Sequence, residues 1–148
     1  GCDVTIGENS VTISRTRPLS SIDIQTLPHP GFPTDLQAQF MLLASMADGV
    51  SVITENVFEN RFMFAAELHR MGGDISIEDH HAIVRGVGRL QGAPVKSTDL
   101  RAGGALVLAG IVADGQTQVH RIEHIDRGYE DYVGKLASLG ADVTRRVL

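Results

Sequence analysis

Two long apolar stretches with matching polar borders organise the chain. Thr34-Asp35-Leu36-Gln37-Ala38 opens one that closes at Ala47-Asp48-Gly49, and Thr98-Asp99-Leu100-Arg101-Ala102 opens another that closes at Ala113-Asp114-Gly115. Each opening sets a small hydroxyl residue where a helix N-cap is wanted and a carboxylate in the first turn, and the first also spells a Thr-x-x-Gln capping box. Each closing supplies a glycine suited to the left-handed C′ position. Between these borders apolar residues run almost all the way round a helix: Phe40, Met41, Leu42, Leu43 and Met46, then Leu106, Val107, Leu108, Ile111 and Val112. Such helices are expected to be buried on every side.

The remaining periodicities fill in a repeated unit. After the first buried helix, Val50 to Thr54 alternates as a strand, 55–60 is polar and irregular as a loop, and Phe62, Ala65, Leu68 and Met71 mark an amphipathic helix. Strands follow at Asp74 to Ile77 and Ala82 to Arg85 around a turn at 78–81, with a further strand near Ala93 to Lys96. The second unit predicts a strand at Thr117 to His120, a loop at Arg121 to Asp126, a helix from Tyr129 to Leu139 and a last strand at Val143. One phrase recurs three times, as Gly1-Cys2-Asp3-Val4-Thr5-Ile6, Gly72-Gly73-Asp74-Ile75-Ser76-Ile77 and Gly140-Ala141-Asp142-Val143-Thr144. The repeat is therefore about 68 residues long. Gly1 to Ser14 reads as a hairpin turning at 7–9, the close of a unit whose helices are absent. The expected fold is α/β, built of βαβαββ units, with residues 1–33 as the tail of one repeat and a connection, 34–97 as a second and 98–148 as a third. Apolar faces left uncovered by the missing helices point to a piece of something larger, or to self-association.

Composition narrows the classes. The chain has 148 residues, 43% apolar content and a formal charge of -5, which suits one soluble domain and offers no basic field for nucleic acid. No apolar run is long enough for a membrane span, and no secretory leader pattern opens the chain. The single cysteine, Cys2, fits a reducing, cytoplasmic compartment and reads as a small packing residue in its strand. The six histidines lack the spacings of a zinc site.

Asp35 and Asp99 stand at equivalent places at the mouths of the two buried helices. The helix dipole favours an acid there and makes it a fixed acceptor for a hydroxyl rather than a strong base. Arg101, in the first turn of the second buried helix, and Arg127, at the start of the next one, oppose that dipole. Two such arginines either hold an anion such as a phosphate between them or pair with Asp99, Asp126 or Glu130. Arg61, the counterpart of Arg127, reads as a local salt-bridge partner. Three prolines in the stretch 28–33 deliver Thr34-Asp35 with little backbone freedom.

Four stretches together carry a family resemblance: Pro30-x-Phe32-Pro33-Thr34-Asp35-Leu36-Gln37-Ala38-Gln39, Ile53-Thr54-Glu55-x-Val57-Phe58-Glu59-Asn60-Arg61-Phe62-Met63, Thr98-Asp99-Leu100-Arg101-Ala102 and His124-Ile125-Asp126-Arg127-Gly128-Tyr129-Glu130. In that order they resemble the UDP-N-acetylglucosamine enolpyruvyl transferases, 1-carboxyvinyltransferases that open bacterial peptidoglycan synthesis. The resemblance covers essentially all 148 residues but only the C-terminal third or so of such an enzyme. It implies an inside-out α/β barrel with the helices inside, here incomplete. It also implies transfer of the enolpyruvyl group of phosphoenolpyruvate to the 3′-hydroxyl of UDP-N-acetylglucosamine through a tetrahedral intermediate, with loss of phosphate and no cofactor or metal. By the resemblance, Asp35 meets the sugar hydroxyl as its base and the backbone at Val57 contacts the sugar nucleotide. Asp99 assists proton transfer at the phosphoenolpyruvate carbon, Leu100 adds a substrate contact, and Arg101 and Arg127 hold carboxylate and phosphate. The family's lysine-asparagine pair and the loop with its catalytic cysteine have no match here, and Cys2 is not that cysteine. The chain alone is thus expected to lack turnover and to need the missing N-terminal domain as partner. Two other readings stand beside this one: a paralogous enolpyruvyl transferase with another hydroxyl acceptor, and a non-catalytic, self-associating module of the same fold.

Overall fold

The computed structural model describes residues 1–146. It opens with β1 (Cys2–Ile6) and β2 (Val11–Arg15), an antiparallel hairpin with Ile6 opposite Val11. Among the described residues no helix covers this hairpin, and Val4, Ile6, Val11 and Ile13 are all exposed. Cys2 is exposed with them and does not pack as the sequence suggested.

One complete βαβαββ unit follows. Its elements are β3 (Ile24–Gln25), a 3-10 turn at Thr34–Leu36, α1 (Gln37–Ser45), β4 (Val50–Thr54), α2 (Met63–Arg70), β5 (Asp74–Glu78) and β6 (His81–Arg85). The next begins in the same way with β7 (Pro94–Lys96), α3 (Leu100–Val112) and β8 (Gln118–His120), and then departs into two short helices, α4 (Glu123–Asp126) and α5 (Tyr132–Ser138). The first sheet has the order β3-β4-β6-β5. In it β3 runs parallel to β4 with Ile24 opposite Ile53, and β7 pairs with β8 alike, Val95 opposite Val119. Parallel neighbours need a crossover, and the buried helices α1 and α3 supply it. Each crossover is also pinned by one parallel bridge, Ser20 to Asp48 and Gln91 to Asp114.

The core lies on one side of the first sheet. Ile53, Ala82 and Val84 belong to one buried cluster with Met41 and Leu42 of α1 and Phe64 and Leu68 of α2, which also includes Leu90, Val95 and Ala105, Leu106 and Ala109 of α3. α1 is apolar all round yet buried on one side only, whereas α3 is buried on every side over 102–106 and loses that cover toward its C-terminus. Leu43 of α1 and Ile111 and Val112 of α3 are exposed, because among the described residues nothing packs against those faces.

Several local expectations differ. The capping box does not form: the Thr34 hydroxyl donates to the Glu55 carboxylate at 2.9 Å, a charged acceptor that competes well with backbone amides, and no side chain caps α1. In α3 the cap is Asp99 itself rather than Thr98. Gly49 and Gly115 do adopt positive φ, 105° and 93°, but beyond the C-cap residues Met46 and Ala113, where the chain turns off the Asp48 and Asp114 bridges. Gly72, next to the α2 cap residue Met71, holds the left-handed position expected of them. The stretch read as a loop from Arg121 to Asp126 contains α4, whose single turn buries Ile125. A strand at Val143 is absent, since no neighbouring strand among the described residues offers it a ladder.

Candidate active site

Just past the paired ends of β3 and β4 lie Thr26 and Glu55, both buried. The Thr26 amide donates to the Thr54 carbonyl at 2.9 Å, extending the parallel ladder by one step and bringing the two side chains together. Glu55 then accepts four hydrogen bonds. Its Oε1 takes the Thr26 hydroxyl at 2.9 Å and the backbone amides of Val57 at 2.9 Å and Phe58 at 3.0 Å, while Oε2 takes the Thr34 hydroxyl at 2.9 Å. A carboxylate can be buried without a cation in contact when its lone pairs are met this fully.

From Thr34 the network reaches the surface. Arg61 donates through Nη1 to the Thr34 hydroxyl at 2.8 Å and through Nη2 to Asp35 Oδ1 at 3.3 Å, with its guanidinium 4.8 Å from the Phe58 ring centroid. It is therefore no local partner but a brace across the turn. The other oxygen of Asp35 accepts from Arg101 Nη2 at 2.9 Å. One half-exposed carboxylate thus sits between two guanidiniums, one from each buried-helix unit. Arg101 is held above its ordinary value, first by the Tyr129 hydroxyl beside it and then, against some desolvation, by Asp35.

Asp99 is differently employed. Its Oδ1 accepts from the backbone amides of Arg101 at 2.8 Å and Ala102 at 2.9 Å, an N-cap that uses the same amides an anion at the helix mouth would need. Its Oδ2 has only the Thr98 hydroxyl, at 3.5 Å. Arg127 is not at a helix start: it is the C-cap residue of α4, where a cation suits the dipole. Asp126, offered by the sequence as its partner, is instead held by Arg145 at 2.7 and 2.9 Å. Arg127 itself is exposed and makes no ion pair among the described residues. A Cβ on Gly128 would come within 2.6 Å of Leu100, so the residue after Arg127 lies against the residue before Arg101. Both arginines therefore border the mouth of α3. Val57 is exposed, with its amide committed to Glu55.

Asp35, Arg101, Asp99, Leu100 and Arg127 are thus brought to one end of α3, and Val57 joins Asp35 through Glu55. Volume would point elsewhere. A groove of about 550 Å³ between the far part of α3, β8, α5 and the stretch 142–146 includes none of these residues. Its walls carry the Asp126–Arg145 pair rather than a carboxylate shared between two guanidiniums, and we locate the site by the latter. No group of three or more His, Cys, Asp or Glu among the described residues is placed to hold a metal. Glu55 and Thr26 were not singled out by the sequence reading. The signal was a break in the repeat: Ile53-Thr54-Glu55 stands where the other unit has Val119-His120-Arg121.

Repeated parallel βαβ crossovers with acids and arginines gathered at the helix mouths agree with the comparison by sequence. The family model for EPSP synthase (3-phosphoshikimate 1-carboxyvinyltransferase) matches residues 1–136, and the chain belongs to that family of 1-carboxyvinyltransferases. Within it, the chain is 54% identical over 145 residues to the UDP-N-acetylglucosamine 1-carboxyvinyltransferase of Desulfatibacillum aliphaticivorans, covering 98% of this chain and 35% of that one. It is 57% identical over 140 residues to UDP-N-acetylglucosamine 1-carboxyvinyltransferase 1 of Halalkalibacterium halodurans, covering 95% and 32%. Among solved structures it is similar to the enolpyruvyl transferase NikO from Streptomyces tendae, with a TM-score of 0.87 and 35% identity over 95% of this chain and 33% of that one. EPSP synthase from Acinetobacter baumannii shares the fold at a TM-score of 0.70 and 20% identity, covering 99% of this chain and 34% of that one. The chain spans about a third of the length of the curated relatives it matches.

Proposed function

We propose that the protein containing this chain transfers the enolpyruvyl group of phosphoenolpyruvate to the 3′-hydroxyl of UDP-N-acetylglucosamine and releases phosphate, a step toward peptidoglycan precursors in the cytoplasm. The observation that carries the reading is Asp35 held between Arg61 and Arg101, in a chain 54% identical to a relative named for that transfer. A carboxylate so placed is a well-oriented acceptor for a sugar hydroxyl. Val57 offers the sugar nucleotide its backbone, and Leu100 adds a substrate contact at the mouth of α3. Arg101 and Arg127, at the mouth of α3, hold the carboxylate and phosphate of phosphoenolpyruvate by charge-assisted hydrogen bonds. The hydroxyl oxygen bonds to C2 as its proton passes to Asp35, while C3 takes a proton from an acid supplied by the preceding domain, giving a tetrahedral adduct. Loss of a proton from the C3 methyl then breaks the C2–O bond to phosphate, which leaves, and restores the double bond. Asp99 assists at C3 through Oδ2, the oxygen its capping role leaves free. In this reading the units 1–33, 34–97 and 98–148 belong to an inside-out barrel, and a preceding domain supplies the rest of the cleft. The isolated chain then binds weakly and does not turn over. The match to a family model described as 3-phosphoshikimate 1-carboxyvinyltransferase supports, as a second reading, the same transfer to another hydroxyl acceptor.

The test is phosphate release by the natural-length product with both substrates. Asp35→Asn and Arg127→Ala should each cost about a hundredfold or more in kcat/KM. Wild-type turnover that needs a different acceptor would favour the second reading, and absence of any turnover would sink both.

A further inference from the structure

We propose that Glu55 is a positioning residue that aims both acceptor contacts, the Val57 backbone and Asp35, from one buried carboxylate. This rests on the reading above that those groups meet the acceptor. The Val57 side follows from peptide geometry. In a trans peptide the carbonyl lies opposite the following N–H, and the one cis bond among the described residues is His29-Pro30. With the amides of Val57 and Phe58 both turned onto Glu55 Oε1, the carbonyls of Asn56 and Val57 are turned away from it, toward the exposed side of the loop. Asn56 secures the same turn, donating its amide to the Thr26 hydroxyl at 3.0 Å and its side chain to the Thr26 carbonyl at 3.1 Å.

The Asp35 side runs through two hydrogen bonds. Glu55 Oε2 accepts the Thr34 hydroxyl proton, which leaves that oxygen's lone pairs for Arg61 Nη1. Arg61 is thereby oriented to present Nη2 to Asp35. Replacing Oε2 by an amide nitrogen removes the acceptor of the Thr34 hydroxyl proton and sets a donor in its place, so that proton must find another partner. The hydroxyl turns and Arg61 loses its orientation, while the three bonds at Oε1 survive. Glu55 touches neither substrate in this scheme and acts only through Val57, Thr34 and Arg61.

The experiment is steady-state kinetics of the natural-length product with Glu55→Gln, varying each substrate in turn. The expected result is a KM for the sugar nucleotide raised about tenfold or more, with the KM for phosphoenolpyruvate within about twofold of wild type. Thr34→Val deletes the Oε2 contact and spares Oε1, so it should give the same split, and it carries the test where Glu55→Gln fails to fold. Both KM values moving together, or neither moving in a folded variant, would overturn the inference and leave the transferase reading intact. No turnover by the wild type would overturn the transferase reading itself, and this inference with it.

Discussion

Asp35 and Asp99 occupy the same place in the repeat and do different work. Asp99 is an N-cap, so Asp99→Ala should cost about 1 kcal/mol of stability while Asp99→Asn, which can still accept from Arg101 and Ala102, should cost little. Chemical denaturation of both variants checks this, and a turnover lost in the stable asparagine variant would separate proton transfer from capping. Gln37 poses the opposite case. It is fully buried at the start of α1 with neither amide atom bonded among the described residues. Gln37→Met keeps the volume and removes the unmet polar atoms, so it should raise stability by about 1 kcal/mol. A clear loss in thermal melts would instead mean that a trapped water bonds the amide. At this scale the sequence was legible where charge marked a position, as at Asp35 and Arg101 at the mouths of the two buried helices, but not at Arg127, which ends a helix rather than starting one. It was not legible where partners decide the role. Nothing local says that Thr34 will serve Glu55 rather than its own helix, or that Arg61 will brace Asp35.

Elements were readable from periodicity as far as each contained its own signal. The buried helices, the hairpins and the strands near 94–96 and 118–120 lie where the pattern put them. The stretch 121–126 did not, because one turn of helix carries too few positions to show a period, and α4 owes its helix to Ile125 docking on α3. Gly103 makes that docking possible. A Cβ there would stand 2.3 Å from Ser97 Oγ and 2.7 Å from Ile125 Cγ1. Gly103→Ala should therefore cost about 1 to 3 kcal/mol by overpacking, whereas Gly104→Ala, whose nearest neighbours are Tyr129 atoms at 3.2 Å, should be tolerated better. Urea titrations of the pair test the difference. On the other side of α3 the Tyr132 hydroxyl donates to the Gly104 carbonyl at 3.0 Å. Burial, and then Tyr129, push it from 10.0 up to about 12. The fold disfavours the phenolate, so this contribution is whole below pH 10.0 and is lost as pH rises toward about 12. Tyr132→Phe should flatten that alkaline loss, at a cost of about 1 kcal/mol near neutrality, in melts compared at about pH 8 and about pH 11.

For the molecule as a whole, the uncovered hairpin β1–β2 and the outer sides of α1 and α3 present Ile6, Ile13, Leu43, Ile111 and Val112 to solvent. Apolar area of that extent drives association. The isolated chain should therefore sediment faster as its concentration rises, and Ile6→Lys with Ile13→Lys should suppress the change. A monomer at all concentrations would mean that these surfaces are too dispersed to pair.

The three sheets share no strand. What joins the first βαβαββ unit to the second is the packing of α1 on α3 and of α2 on α3 and β7, with no hydrogen-bonded ladder across the boundary. Such a molecule opens by parts, and slow amide exchange would divide along that seam, the β3-β4-β6-β5 sheet outlasting β7-β8 and α5. Asp35 stands on one side of the seam and Arg101 on the other, so each sub-global opening also takes the charged cluster apart. A ligand held by both would act as a clamp, and its affinity could be read from how far it slows exchange on both sides at once.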